Sequence, residues 1–181
     1  MASALSHAIV AVTMGKSFRN KELRWRELVL GAFCSVLPDL DVIGFLFGIE
    51  YGDLWGHRGL THSVLFAALL AGILVALWYR GKPAIARTGL FLYFFLCTAS
   101  HGVLDAMTDG GLGVAFFSPF DTTRYFFPVR PVLVSPIGIN EFFNVYGVRV
   151  LASEAAWIWL PSLALFMLLR AIQRVLGAKS R

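Results

Sequence analysis

Eight side chains of this 181-residue chain have the types and spacing to do chemistry together: His7, Asp39, Asp41, His57, Arg58, His62, His101 and Asp105. They include all four histidines. His101 and Asp105 are spaced i,i+4, so on a helix they project from one face. Asp39 and Asp41 follow Pro38 and straddle a leucine; they share a face on an extended segment and diverge on a helix. His57 and His62 are five apart, off-phase for one helix, which puts one in a loop and the other at a helix start. Imidazole and carboxylate are the donors of divalent metal ions. Ionisable groups are costly in a bilayer, and one or two shared ions would satisfy several of them at once.

The expected metal ligands are His7, Asp39, His62, His101 and Asp105. His62 is preferred to His57 because it lies deeper, which leaves His57 to support a ligand or carry a proton. At least one of Asp39 and Asp41 should be a ligand, to compensate the charge of the ion. Asp39, or Asp41 if it is not a ligand, is the candidate general base. Arg58 is the nearest group able to grip a phosphate through a bidentate fork, with Arg124 and Arg130 as further candidates. Asp109 reads as a turn residue in Thr-Asp-Gly-Gly. The donor set suits zinc first, and manganese or iron as well. His-Glu-x-x-His and Gly-x-Ser-x-Gly are both missing, so zinc-protease and serine-hydrolase arrangements are disfavoured.

These donors sit in or beside apolar segments. The chain is 57% hydrophobic and only 15% charged, against about 25% charge in ordinary soluble domains. This is the composition of an integral membrane protein of one domain. The net charge is +5, but the cations fall in three clusters between apolar runs, 16–26, 80–87 and 170–181. That is the pattern of cytoplasmic loops and gives no solvated basic face for nucleic acid. Cys34 and Cys97 lie within apolar segments and read as small buried hydrophobes. Positive charge follows the first apolar run instead of preceding it, which argues against a cleaved signal peptide.

The elements that must position the donors are five apolar segments. Residues 4–14 are too short to cross alone. Residues 28–48 are broken or kinked at Pro38. Residues 62–79, with Thr61 as a candidate N-cap, and 88–107 have spanning length. Residues 155–169 precede the basic tail. The expected fold is an all-α polytopic membrane bundle with about four to five membrane-embedded helices. Within a single domain, 1–108 carry the metal-site helices, 109–150 form a non-cytoplasmic loop, and 151–181 hold the last helix and tail. That loop is rich in phenylalanine, tyrosine and proline, as at a membrane interface; a lid over a lipid-like substrate is the sharper reading. At about 1.5 Å per residue from the cytoplasmic ends, His7 lies roughly 12 Å in, Asp39 18 Å, His101 20 Å, and Asp105 and His62 26 Å. All fall in one slab, in the middle or non-cytoplasmic half of the bilayer.

Pro38-Asp39-Leu40-Asp41, the run from His57 through Arg58, Gly59, Leu60 and Thr61 to His62 and Ser63, and His101-Gly102-Val103-Leu104-Asp105 together resemble the signature of the YdjM-like bacterial inner-membrane proteins. The likeness covers about His7 to Asp105. It implies a membrane-bound, metal-dependent hydrolase in the inner membrane. The order of donors is also similar, more weakly, to the zinc-dependent phospholipase C and single-strand nuclease superfamily. That likeness implies His7, an Asp of the 39–41 pair, a His of the 57–62 pair, His101 and Asp105 as ligands, with Asp105 a candidate bridge. The chain departs from that superfamily in having only four histidines and in being a membrane protein throughout. The expected function is metal-assisted hydrolysis of a phosphoester in a membrane lipid or another amphiphile. The alternatives are a metal-binding or metal-transporting membrane protein without hydrolytic activity, and a protein whose polar residues only join helices.

Overall fold

The computed structural model describes residues 1–18 and 23–178. Of the expected basic clusters, Arg19, Lys21, Lys179 and Arg181 lie outside the described residues. The described chain is helical, with β pairing limited to two isolated bridges, Thr108–Val132 and Val114–Tyr125. Three helical stretches are long and apolar enough to cross a membrane: Trp25–Phe47, Ala84–Ala106 and Val145–Leu176.

Helix α1 (Ala4–Ser17) starts at the N-cap Ser3 and packs against α2 (Trp25–Val36). At Pro38 the α-helix gives way to a tighter 3₁₀ run, Leu37–Phe47, as the missing proline donor and its ring clash require. Gly48 closes that run with a φ of 77°, a conformation glycine adopts without strain. The 3₁₀ turn Leu60–His62 precedes α3 (Val64–Trp78). The N-cap of α3 is Ser63, whose side chain accepts from the Phe66 N–H at 3.0 Å, and not Thr61 as expected. The Thr61 hydroxyl is occupied by Asp41 at 2.7 Å. At 15 residues α3 is also shorter than the spanning length expected of it.

Helix α4 (Ala84–Ala106) is the central post. Its buried stripe runs Leu90, Phe94, Cys97, His101 and Asp105, the three-and-four spacing of one helix face. The stripe is apolar where α1, α2 and α3 pack on it around Leu28, Val75, Tyr93 and the two cysteines. It turns polar at the opposite end. The Tyr93 ring packs on Gly15 of α1 and Gly31 of α2, where an added Cβ would lie 2.8 and 2.2 Å from its hydroxyl. Its phenol donates to the Ala11 carbonyl at 3.2 Å.

After the short α5 (Ile139–Phe142), the last helical stretch begins as α6 (Val145–Glu154). That is earlier than the apolar pattern suggested. Asn144 caps it by accepting from the N–H groups of Tyr146 and Gly147, while Arg149 and Glu154 mask its first turns in composition. A π turn at Ala155–Trp159 leads into α7 (Leu160–Ala178). The wider turn relieves the clash that Pro161 would make with the carbonyl four residues back. Leu163, Met167 and Leu168 on α7 face outward, as a lipid-facing helix requires.

Candidate metal centre

The polar end of α4, the 3₁₀ run after Pro38 and the 57–63 turn bring their donors to one buried point. His62 Nε2 and His101 Nε2 are 2.9 Å apart. Asp39 Oδ1 lies 3.3 Å from His101 Nε2 and 3.7 Å from His62 Nε2. Asp105 Oδ2 lies 3.7 Å from His62 Nε2 and 4.0 Å from His101 Nε2. Donors at the usual bond lengths around one tetrahedral ion would stand about 3.3 Å apart, so these separations bracket the value.

Hydrogen bonds fix the tautomers. His101 Nδ1 lies 2.7 Å from the Ser35 carbonyl, which can only accept, so Nδ1 carries the proton and Nε2 is a bare lone pair. His62 Nδ1 faces Asp41 Oδ2 at 3.2 Å, with the same consequence for its Nε2. Two lone pairs thus meet at 2.9 Å, and both oxygens of the buried Asp39 lack a hydrogen-bond partner. With both rings neutral this arrangement repels itself, and a proton shared between the rings or a metal ion among the donors relieves it. Asp39, His62, His101 and Asp105 therefore fit a divalent ion.

A second set, Asp41, His57 and His62, is also tight enough for an ion, but its hydrogen bonds are already made. Asp41 Oδ1 accepts from His57 Nδ1 at 2.7 Å; Oδ2 accepts from the Thr61 hydroxyl at 2.7 Å and the Arg58 N–H at 3.2 Å. Asp41 thus holds two histidine rings by their outer nitrogens, the usual task of a carboxylate behind a metal ligand. His57 Nε2 is left buried and without a partner. In a 3₁₀ run successive residues turn by about 120°, so Asp39 and Asp41 diverge and reach opposite sides of His62.

His7 comes from α1. Its ring stacks on His101 at 3.8 Å between centroids, and its Nε2 is 3.6 Å from Asp105 Oδ1. It touches the cluster from the far side of Asp105, outside the set of four. Both its ring nitrogens are buried and unpartnered.

Arg58, expected to face a phosphate, turns inward. It is fully buried; Nε donates to Asp105 Oδ2, Nη1 to the Gly110 carbonyl and Nη2 to Thr108 Oγ1, each at 2.9 Å. Its φ of 63° is costly for a non-glycine residue and is held by these contacts. Arg124 likewise clamps the 51–57 loop, donating to the carbonyls of His57, Tyr51 and Asp53. Arg130 lies over the Phe126 ring. Asp109 accepts from the Val134 N–H at 2.8 Å, a long-range contact to the far end of the loop and not the local turn bond expected of it. Burial pushes the Tyr51 phenol above its usual pKa, with Arg58 and Arg124 pulling the other way. It packs edge-on against His57.

The aromatic loop closes over the outer end. Ala115 N–H donates to the Arg58 carbonyl, and Val64 N–H to that of Phe116. Gly102 lets the turn approach α4, since a Cβ there would meet the His62 carbonyl at 3.0 Å. Phe120 and Phe143 stand largely exposed, as interfacial anchors do.

Two partners escaped the sequence reading. Thr108 lies on the face of His101 and Asp105 at i+7 and i+3, a spacing that marks it once that face is known. Glu154, fully buried, accepts from the Ser3 N–H and the Ser3 and Ser6 hydroxyls, fixing the start of α1. Its one signal was a carboxylate next to an apolar run.

Comparison with known proteins agrees with this architecture. The inner membrane protein YbcI of Escherichia coli (strain K12) is 36% identical over 172 residues, covering 93% of this chain and 97% of that protein. No solved structure matches. The YdjM inner membrane protein family matches residues 1–177, so this chain, with its buried His/Asp cluster, belongs to that family of integral inner-membrane proteins.

Proposed function

We propose that this protein is a metal-dependent hydrolase of the inner membrane, acting on a phosphoester of a lipid or another amphiphile. One observation carries the reading. The bare Nε2 atoms of His62 and His101 meet at the unpartnered carboxylate of Asp39, while a further histidine beside them, His57, keeps a bare Nε2 of its own. A binding or carrier site needs only the former.

Asp39, His62, His101 and Asp105 would hold the ion, zinc by donor type, with manganese or iron also suited. A divalent ion held there would supply Lewis acidity to a water and to the phosphoryl oxygen. His57 would serve as the proton acceptor at Nε2, with Asp41 fixing its ring and tautomer through Nδ1, as in other Asp–His pairs. Asp41 is fully engaged as an acceptor, so the general base moves from the aspartates to His57. Arg58 holds Asp105 in place. The aromatic loop seats the acyl part of the substrate at the non-cytoplasmic face.

The test begins with elemental analysis of detergent-purified protein. At least one transition metal per chain is expected, lost in Asp39→Asn and His101→Ala. A folded protein without metal overturns the reading. A screen of phospholipids and phosphomonoesters follows. Metal without turnover on any of them, or turnover that survives loss of the ligands, leaves the carrier reading in its place.

A further inference from the structure

We propose that the gap between α1 and α7 holds one acyl chain of an anionic phospholipid from the cytoplasmic leaflet. This is independent of the hydrolase reading, because the gap lies toward the other end of α1 from His7. The two helices are pinned at both ends. Near the start, the Trp159 indole donates to Ser6 Oγ at 2.7 Å. At the far end, Gln173 Nε2 donates to the Ser17 carbonyl at 2.9 Å. Between the pins the helices part around about 440 Å³, walled by Val10, Met14, Leu165, Phe166 and Leu169, with Thr13 and Ser162 leaving room between them.

The residues of α1 that line the gap, Val10 to Phe18, span about 12 Å, the length of part of one acyl chain. The charge at the mouth selects the headgroup. Lys16, Arg170 and Arg174 stand exposed on the last turns of α1 and on α7 around the Gln173–Ser17 pin, and neither helix carries an Asp or Glu. Basic groups at the cytoplasmic end of a cleft between membrane helices are the recognised setting for anionic headgroups. Ser17 and Gln173 add polar atoms at the same level.

The full chain would be placed in nanodiscs of mixed phosphatidylethanolamine and phosphatidylglycerol, then released into native mass spectrometry. One phosphatidylglycerol per chain should survive the activation that strips phosphatidylethanolamine. Leu165→Trp, which fills the gap, should cut that adduct roughly tenfold, the loss of a few buried methylenes. Ser162→Leu fills the same space from a small residue and keeps the test open if the tryptophan variant fails to fold. Neutralising Arg170 and Arg174 to glutamine should lower the preference for phosphatidylglycerol by roughly fivefold for each charge. Equal retention of the two lipids by the unaltered protein overturns the proposal. So does an adduct that both filling variants leave intact, or a dimer that both abolish, since the occupant would then be a second copy.

Discussion

Replacing Asp41 by asparagine separates the two sets of donors, because the structure gives that residue a supporting task and not a metal bond. Its carboxylate accepts at Oδ1 from His57 and at Oδ2 from Thr61 and the Arg58 backbone, with His62 Nδ1 also against Oδ2. Asparagine keeps one acceptor oxygen and adds an NH₂. If the NH₂ faced the Oδ2 side it would oppose three donors; facing His57 it opposes one. The second orientation costs least, and there the His57 ring must move its proton from Nδ1 to Nε2. The bare Nε2 is then lost, while His62 keeps its partner. Metal affinity should fall by no more than about 10–100-fold, the usual effect of a residue behind a ligand, so protein purified with excess metal stays loaded. Turnover of whatever phosphoester the screen identifies should fall about a hundred- to ten-thousand-fold, the scale of lost acid–base catalysis. Elemental analysis and turnover in proteoliposomes read the two effects separately, with Asp39→Asn as the metal-free reference. Loss of metal as complete as in Asp39→Asn would refute the reasoning and make Asp41 a ligand. Full metal with turnover within about threefold of the unaltered protein would refute His57 as the base.

Three further outcomes are expected. Arg58→Met removes the guanidinium that holds the buried Asp105 and takes a donor each from Thr108 and the Gly110 carbonyl; it should cost about 3–5 kcal/mol, read as a lower unfolding temperature in detergent. Gly31→Ala places a Cβ 2.2 Å from the Tyr93 hydroxyl and should cost about 1–3 kcal/mol through overpacking, by the same measurement and with the metal content per folded chain unchanged. Thr122→Cys on the aromatic loop and Gly81→Cys on the basic turn should label from opposite faces of the membrane, Thr122 from the non-cytoplasmic one. The native Cys34 and Cys97 are buried and stay silent; labelling of both from one face would overturn the orientation.

Much of the centre was legible because helix periodicity is local. The i,i+4 spacing of His101 and Asp105 put them on the face that also carries Leu90, Phe94 and Cys97. Counting rise per residue placed all four in one slab, with Asp39 and His101 at one level and His62 and Asp105 further in, and the four do converge. His62 and not His57 falls in that set of four, and its ring stands between both aspartates of the 39–41 pair. The start of the last helix was not legible, because polar α6 looks like loop until the Asn144 cap and the buried Glu154 are seen. Arg58 was read as a phosphate grip because a guanidinium beside a histidine gives no hint of which way it turns.

The sequence by itself determined the solvent of this chain and its helical class. Hydropathy, charge clusters and proline act through nearest neighbours and through the membrane's fixed thickness. Only the tertiary structure decided which nitrogen of each histidine is bare, that Asp39 stands unpartnered while Asp41 is spent on holding rings, and that Arg58 faces inward. Those outcomes depend on contacts between residues up to 66 apart in sequence, such as the Ser35 carbonyl and His101. Hydrogen bonds of that kind are set by how the helices pack, and no local pattern encodes them.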